Sequence, residues 1–274
     1  MHCLKTGQKL ACYVTNYGLP DQNPQNADDA VSHTAPGATV AMEYDPTATG
    51  GEEVQFYVYG GGAVAGSGRL KFADLDGFGP KPVPALCQTC HGGGPGLNAN
   101  NKAAGAHFRE FDLPSFRYSG NRSWDYGQAI GATTPSAAEF NAFARLNQFV
   151  RDSNTGNEIA NVINGWYPGN NFTGRPQLPP TPASWSGHAN EYRLVYGQTC
   201  RTCHIARDYP DFVGAGGLDF FKNSFVVDLV CGSGNPKVRT MPNASITYRN
   251  FWADTPRVHL YETLVGRPID SCKS

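Results

Sequence analysis

The amino-acid sequence predicts an α+β, loop-rich protein: a small N-terminal antiparallel β unit followed by a mainly α-helical region. Three observations carry this expectation. Apolar residues alternate with period two in several stretches of the first 80 residues, and they recur with helical period from residue 134 onward. The 274 residues include 32 glycines and 20 prolines, which punctuate the chain with turns. That share falls short of the roughly 25–30% of a low-complexity chain, and 15 Phe, 13 Tyr and 4 Trp can anchor a core.

The elements follow in order. Thr39 to Tyr44 and Glu53 to Tyr59 alternate and are rich in β-formers, as is Arg69 to Phe72. Turn-like segments at 45–51 and 60–68 separate them, so residues 1–80 read as one β unit. Residues 81–133 form a second region, glycine-rich after His91 and with little helical periodicity. Residues 134–274 form the helical region. Ser136 and Glu139 stand at capping-box spacing, and Phe140, Phe143, Leu146 and Val150 give the expected apolar face. A second helix has Ile159, Val162, Ile163 and Trp166 on one side. The stretch Pro168 to Gly187 reads as a linker. Ala189 to Thr199 is a third helix, with Tyr192, Val195 and Tyr196 inward. Thr255-Pro256 opens a last helix with Val258, Tyr261 and Leu264 inward, stopped by Gly266 and Pro268.

Charge and hydropathy exclude several functions. Lys and Arg number 22 against 23 Asp and Glu, a net charge of −1, so nucleic acid or an anionic membrane is not the expected partner. The most apolar run, Phe220 to Cys231, is broken by Lys222, Asn223 and Asp228, which predicts no transmembrane segment. Met1-His2-Cys3-Leu4-Lys5 lacks the apolar stretch of a signal peptide, so a leader is expected to lie outside this numbering.

Four of the eight cysteines form two copies of one pattern, Cys87-Gln88-Thr89-Cys90-His91 and Cys200-Arg201-Thr202-Cys203-His204. C-x-x-C-H is the attachment pattern of c-type haem. Two thiols three positions apart on a helical turn can add to the two vinyl groups of one porphyrin, and the adjacent His is then the proximal iron ligand. Chance alone yields two such patterns at this composition with odds on the order of one in fifty thousand. Zinc is the stronger alternative for paired C-x-x-C, but it usually needs about 15–20 residues between the pairs, and these pairs lie more than a hundred residues apart. A redox dithiol does not require a His after each pair. The expected cofactors are therefore two covalently attached haem c groups, each with iron. The other cysteines, Cys3, Cys12, Cys231 and Cys272, allow three pairings; proximity favours Cys3–Cys12 and Cys231–Cys272, with free thiols as the alternative. Disulfides and c-type haem maturation both point to a periplasmic or extracellular location.

Residues 189–265 resemble a class I cytochrome c domain, in which a helix leads into C-x-x-C-H, followed by a glycine-rich loop, Met-Pro and a C-terminal helix that packs on the first. The wider chain resembles a secreted bacterial di-haem cytochrome c family, on Met1-His2-Cys3, Ala11 to Tyr17, Gly165-Trp166-Tyr167 and Cys200 to His204. The sixth iron ligand sets potential and reactivity. For the second haem the candidate is Met241, in Thr240-Met241-Pro242, with a core-filling Met as the alternative. A thioether stabilises ferrous iron, so this haem is expected to have the higher potential. For the first haem the candidates are His107, His2 and Met42, or an open position. His33, His188 and His259 sit in polar contexts.

Two functions follow from these ligand sets. One is electron transfer between redox protein partners by a secreted di-haem cytochrome c, one haem His/Met and the other expected to be His/His; a homo-oligomer or cytochrome filament, with His2 reaching a neighbour's haem, is a variant. The other is an enzyme resembling the bacterial di-haem peroxidases, with one open haem and Arg109, Glu110 or Asp112 supplying charge beside it. A haem-based sensor or docking module is a third reading.

Overall fold

The computed structural model describes residues 1–18, 25–61, 68–74, 79–94, 96–116, 118, 124, 126, 135–207, 210–231 and 245–269. The architecture is α+β, with an N-terminal antiparallel sheet followed by helices, in two compact units, Met1–Leu178 and Pro179–Ser274.

The first unit begins with strands β1 (His2–Thr6), β2 (Lys9–Thr15), β3 (Thr39–Tyr44) and β4 (Val54–Tyr59), a four-stranded antiparallel sheet in the order β1-β2-β3-β4. Cys3, Cys12, Met42 and Phe56 are register partners across all four strands and therefore share a face. That face is the buried one, with Leu10, Cys12, Val54, Phe56 and Val58 nearly inaccessible. Cys3 and Cys12 form a disulfide across the hairpin. Helix α1 (Asn26–Ser32) fills the connection between β2 and β3, where alternation gave no signal. The expected strand at 69–72 is split: Arg69 makes one bridge to Tyr59, and Phe72–Ala73 (β5) pairs with Lys81–Pro82 (β6).

Helix α2 (Ala85–His91) carries the first C-x-x-C-H motif. Helix α3 (Ala137–Asp152) starts at Ser136 with the expected capping box: the Ser136 hydroxyl accepts from the Glu139 amide at 3.2 Å, and the Glu139 carboxylate accepts from the Ser136 amide at 2.6 Å. Its buried stripe is Phe140, Ala144, Asn147 and Val150, with Phe143 and Leu146 half-buried at its margin. The rotation follows from Asn147, whose amide bonds both the N–H (2.9 Å) and the carbonyl (3.0 Å) of Phe111 and so has to face inward. Helix α4 (Glu158–Trp166) buries Ile159, Val162, Ile163 and Trp166 as expected.

Composition divides the chain near residues 80 and 133, whereas contacts hold residues 1–178 together as one unit. Side chains of the sheet region explain the difference. Glu52 accepts from Asn98 (2.8 Å) and Asn100 (2.7 Å), Gln55 makes a reciprocal pair with the backbone of Ala103 (3.0 and 3.1 Å), and the Gly105 amide donates to Gly51 (2.7 Å). The stretch read as a linker is divided too. Gln177 bonds the Trp166 carbonyl in the first unit, while Trp185 is fully buried in the second and donates to the Phe212 carbonyl at 2.7 Å.

The second unit packs around an aromatic core of Trp185, Tyr192, Tyr196, Phe212, Phe221, Phe251 and Tyr261. A wide turn of helix over Glu191–Tyr196, in which the Gly197 amide reaches back five residues to the Tyr192 carbonyl (2.8 Å), leads into α5 (Arg201–His204). Then come α6 (Gly217–Lys222), α7 (Ser224–Cys231), α8 (Ser245–Ala253) and α9 (Thr255–Val265). Sequence periodicity assigned none of α6, α7 or α8. Helix α9 packs on the 191–196 turn, is capped by the Asp254 carboxylate rather than by Thr255, and ends at Gly266 in the left-handed region. Cys231 is disulfide-bonded; the expected partner, Cys272, lies outside the described residues. Among the described residues no helix is long and apolar enough to cross a membrane.

Candidate functional site

Each unit contains one C-x-x-C-H motif, on α2 and α5 respectively. None of Cys87, Cys90, Cys200 and Cys203 is in a disulfide. Both helices begin by capturing a carbonyl, of Pro84 ahead of the first motif and of Cys200, the opening residue of the second. Cys87 and Gln88 donate to Pro84 (2.8 and 3.0 Å), and Cys203 and His204 donate to Cys200 (3.2 and 3.0 Å). This places both sulfurs and the imidazole of each motif along a single helical turn.

At the first motif the proximal candidate, His91, is held at two points by one residue. The His107 amide donates to the His91 carbonyl at 2.8 Å, and the His91 ring Nδ1 lies 2.8 Å from the His107 carbonyl. A carbonyl can only accept, so Nδ1 carries the proton and Nε2 presents a lone pair. Burial pushes His91 down to about 4, and the Arg109 guanidinium acts in the same direction, so the imidazole is neutral near pH 7. Phe56 of β4 packs edge-on against the ring, centroids 5.2 Å apart. The buried face of the sheet thus packs against His91 through Phe56, a contact that alternation alone did not reveal. Gln88 accepts from the Gly96 amide (3.0 Å), fixing the loop after the motif. Gly93 has φ +86°, and a Cβ there would meet the Ala104 carbonyl oxygen at 2.1 Å, so this close approach requires glycine.

At the second motif, Cys200, Cys203 and His204 border an open apolar cleft that encloses about 70 Å³. Val195, Phe221, Val230, Tyr248, Phe251 and Tyr261 provide much of its wall. Phe212 packs edge-on to the His204 ring at 5.1 Å. The Thr199 hydroxyl donates back to the Val195 carbonyl and the Thr202 hydroxyl to the Thr199 carbonyl, so the polar groups at this border are turned into the helix.

The four side chains proposed as sixth ligands fare differently. Met241 lies outside the described residues. His107 is brought to the first motif, but through its main chain and behind the His91 ring; its own Nδ1 lies 3.5 Å from the Asn157 amide nitrogen. His2 is not brought there. It sits on β1, three strands from Phe56 or about 14 Å at normal strand spacing, and its register partners Tyr13, Ala41 and Tyr57 place it on the opposite face. Its ring stacks on Tyr13 at 4.9 Å. Met42 is the register partner of Phe56 and shares its face of the sheet. The charged residues considered for an open haem are engaged with other groups. Arg109 donates to Glu110 (3.1 and 3.0 Å) and to the Cys90 carbonyl (2.9 Å), and Asp112 accepts from Tyr126 (2.9 Å).

Burial pushes the Cys87 and Cys200 thiols up to about 11, the reverse of the lowered values that make a redox C-x-x-C reactive. Among the described residues no three His, Cys, Asp or Glu side chains converge to form a metal cage such as zinc requires. A porphyrin needs a different donor set: two protonated thiols, one neutral imidazole and an apolar slot. The second motif offers all three, since Cys200, Cys203 and His204 border one apolar cleft, and the first offers the thiols and the oriented imidazole, so the residue types present fit the group. No family model, no curated protein and no solved structure matches this sequence.

Proposed function

We propose that the chain is a secreted di-haem c-type cytochrome, periplasmic or extracellular, that passes electrons between redox protein partners. The observation that supports this most is the apolar cleft that Cys200, Cys203 and His204 border together, with a lining whose polarity suits a porphyrin face. Bound haem supplies one-electron chemistry at iron. The chain's own work is attachment, orientation and exclusion of water. Cys87 and Cys90 fasten one group and Cys200 and Cys203 the other. The His107 carbonyl keeps the proton of His91 on Nδ1, which fixes the tautomer and the ring plane. Phe56 and Phe212 hold the two imidazoles edge-on. The Cys3–Cys12 disulfide suits an oxidising compartment.

Met241 remains the proposed sixth ligand in the second unit. One observation bears on the peroxidase-like alternative for the first: His107 meets His91 through its carbonyl at Nδ1, and His2 lies on the opposite face of the sheet from Phe56, so neither imidazole is brought to the His91 ring. Against it, Arg109, Glu110 and Asp112 are committed to partners instead of beside a vacant position. Absorption and paramagnetic-resonance spectra of the oxidised protein separate the two. Electron transfer predicts two low-spin irons and no turnover of peroxide; a high-spin iron with peroxide turnover establishes the enzyme.

A further inference from the structure

We infer that Arg109 and Glu110 are a compensated charge pair set behind His91 to tune the reduction potential of the first haem. The inference rests on the proposed di-haem reading. The two side chains bond each other through two contacts, 3.1 and 3.0 Å, and are nearly buried, 13% and 3% exposed. Arg109 also donates to the carbonyl of Cys90, the residue next to His91, and it follows by two positions the carbonyl that holds Nδ1. Buried charges are screened little by salt or solvent, so each acts on the ligand at close range while the pair together nearly cancels.

Reduction by one electron from a protein donor lowers the charge at the site by one unit and requires no bond to form or break. A lone positive charge behind His91 therefore favours the reduced form and a lone negative charge the oxidised form. Surface ion pairs have no such leverage, because water compensates them.

The test is a potentiometric titration of the full-length, haem-loaded protein and three variants at pH 8, with the wave of the second haem as internal reference. Glu110→Gln is expected to favour reduction of the first haem by about tenfold, which is 59 mV for one electron. Arg109→Gln is expected to shift the same wave by a similar factor in the opposite direction, and the double variant to return to within threefold of the parent. Should Arg109→Gln fail to load haem, Arg109→Lys, which keeps the charge, is expected to stay within threefold of the parent while Glu110→Gln still shifts. Shifts of the same sign, or no shift at Glu110→Gln, overturn the inference while leaving the haem reading intact. Parent protein without covalent haem overturns the reading beneath it.

Discussion

His91 takes its chemistry from the main chain of another segment. The carbonyl of His107 decides which ring nitrogen carries the proton, and the His107 amide anchors the end of the helix on which His91 sits. Nothing in the type of residue 107 announces this role, since any residue has a carbonyl. The sequence singled out His107 for its imidazole, and the structure employs its backbone. The C-x-x-C-H pattern itself is legible in the sequence, because the covalent haem attachment proposed for it would fix residue type and spacing together. The packing partners Phe56 and Phe212 were not, because an aromatic side chain reads the same whether it fills a core or holds a ligand. Gly93 is tied to the same clamp. Gly93→Ala is expected to destabilise the protein by roughly 1–3 kcal/mol in chemical denaturation, since it combines a positive φ with a clash against the Ala104 carbonyl. Gly94→Ala, with nothing within 4 Å of the added carbon, is expected to stay within about 0.5 kcal/mol. Met241→Ala is expected to abolish a sulfur-to-iron charge-transfer band and to lower one of two potentials; an unchanged spectrum removes Met241 from the ligand set.

Elements with strong local signals formed where periodicity placed them. The Ser136–Glu139 capping box opens α3, and α4 buries its four apolar positions. Replacing Ser136 by Ala is expected to cost about 1 kcal/mol of stability with both haem spectra unchanged, since the cap lies outside both motifs. The face of α3 was displaced because a buried Asn was worth more to the fold than the apolar count implied: Asn147 satisfies two backbone groups of Phe111 that otherwise lack regular pairing. Helices α6 and α7 escaped notice because they are six and eight residues long. Such helices owe their stability to packing, here of Leu218, Phe221, Val226 and Val227 into the aromatic core, rather than to propensity. Helix α1 is seven residues in a polar connection and leaves no periodic trace.

The whole molecule consists of two compact units, each with one C-x-x-C-H motif. The boundary was only partly legible. Pro- and Gly-rich composition marked residues 168–187, and the division after Leu178 falls inside that stretch. The earlier expected divisions vanish because polar side chains, Glu52 and Gln55 above all, join the β unit to the loop following the first motif. Hydrogen bonds of that kind have no period and cannot be read from a pattern. The β unit thereby joins the first motif, through Phe56 at His91 and through Glu52 and Gln55 at the loop that follows. The proposed electron transfer requires that two porphyrins be covalently held. Intact-mass measurement of native material tests this most directly: the account predicts the polypeptide plus two haems, retained after denaturation in acid and organic solvent. A mass equal to the polypeptide alone, or one that carries zinc and no iron, contradicts it.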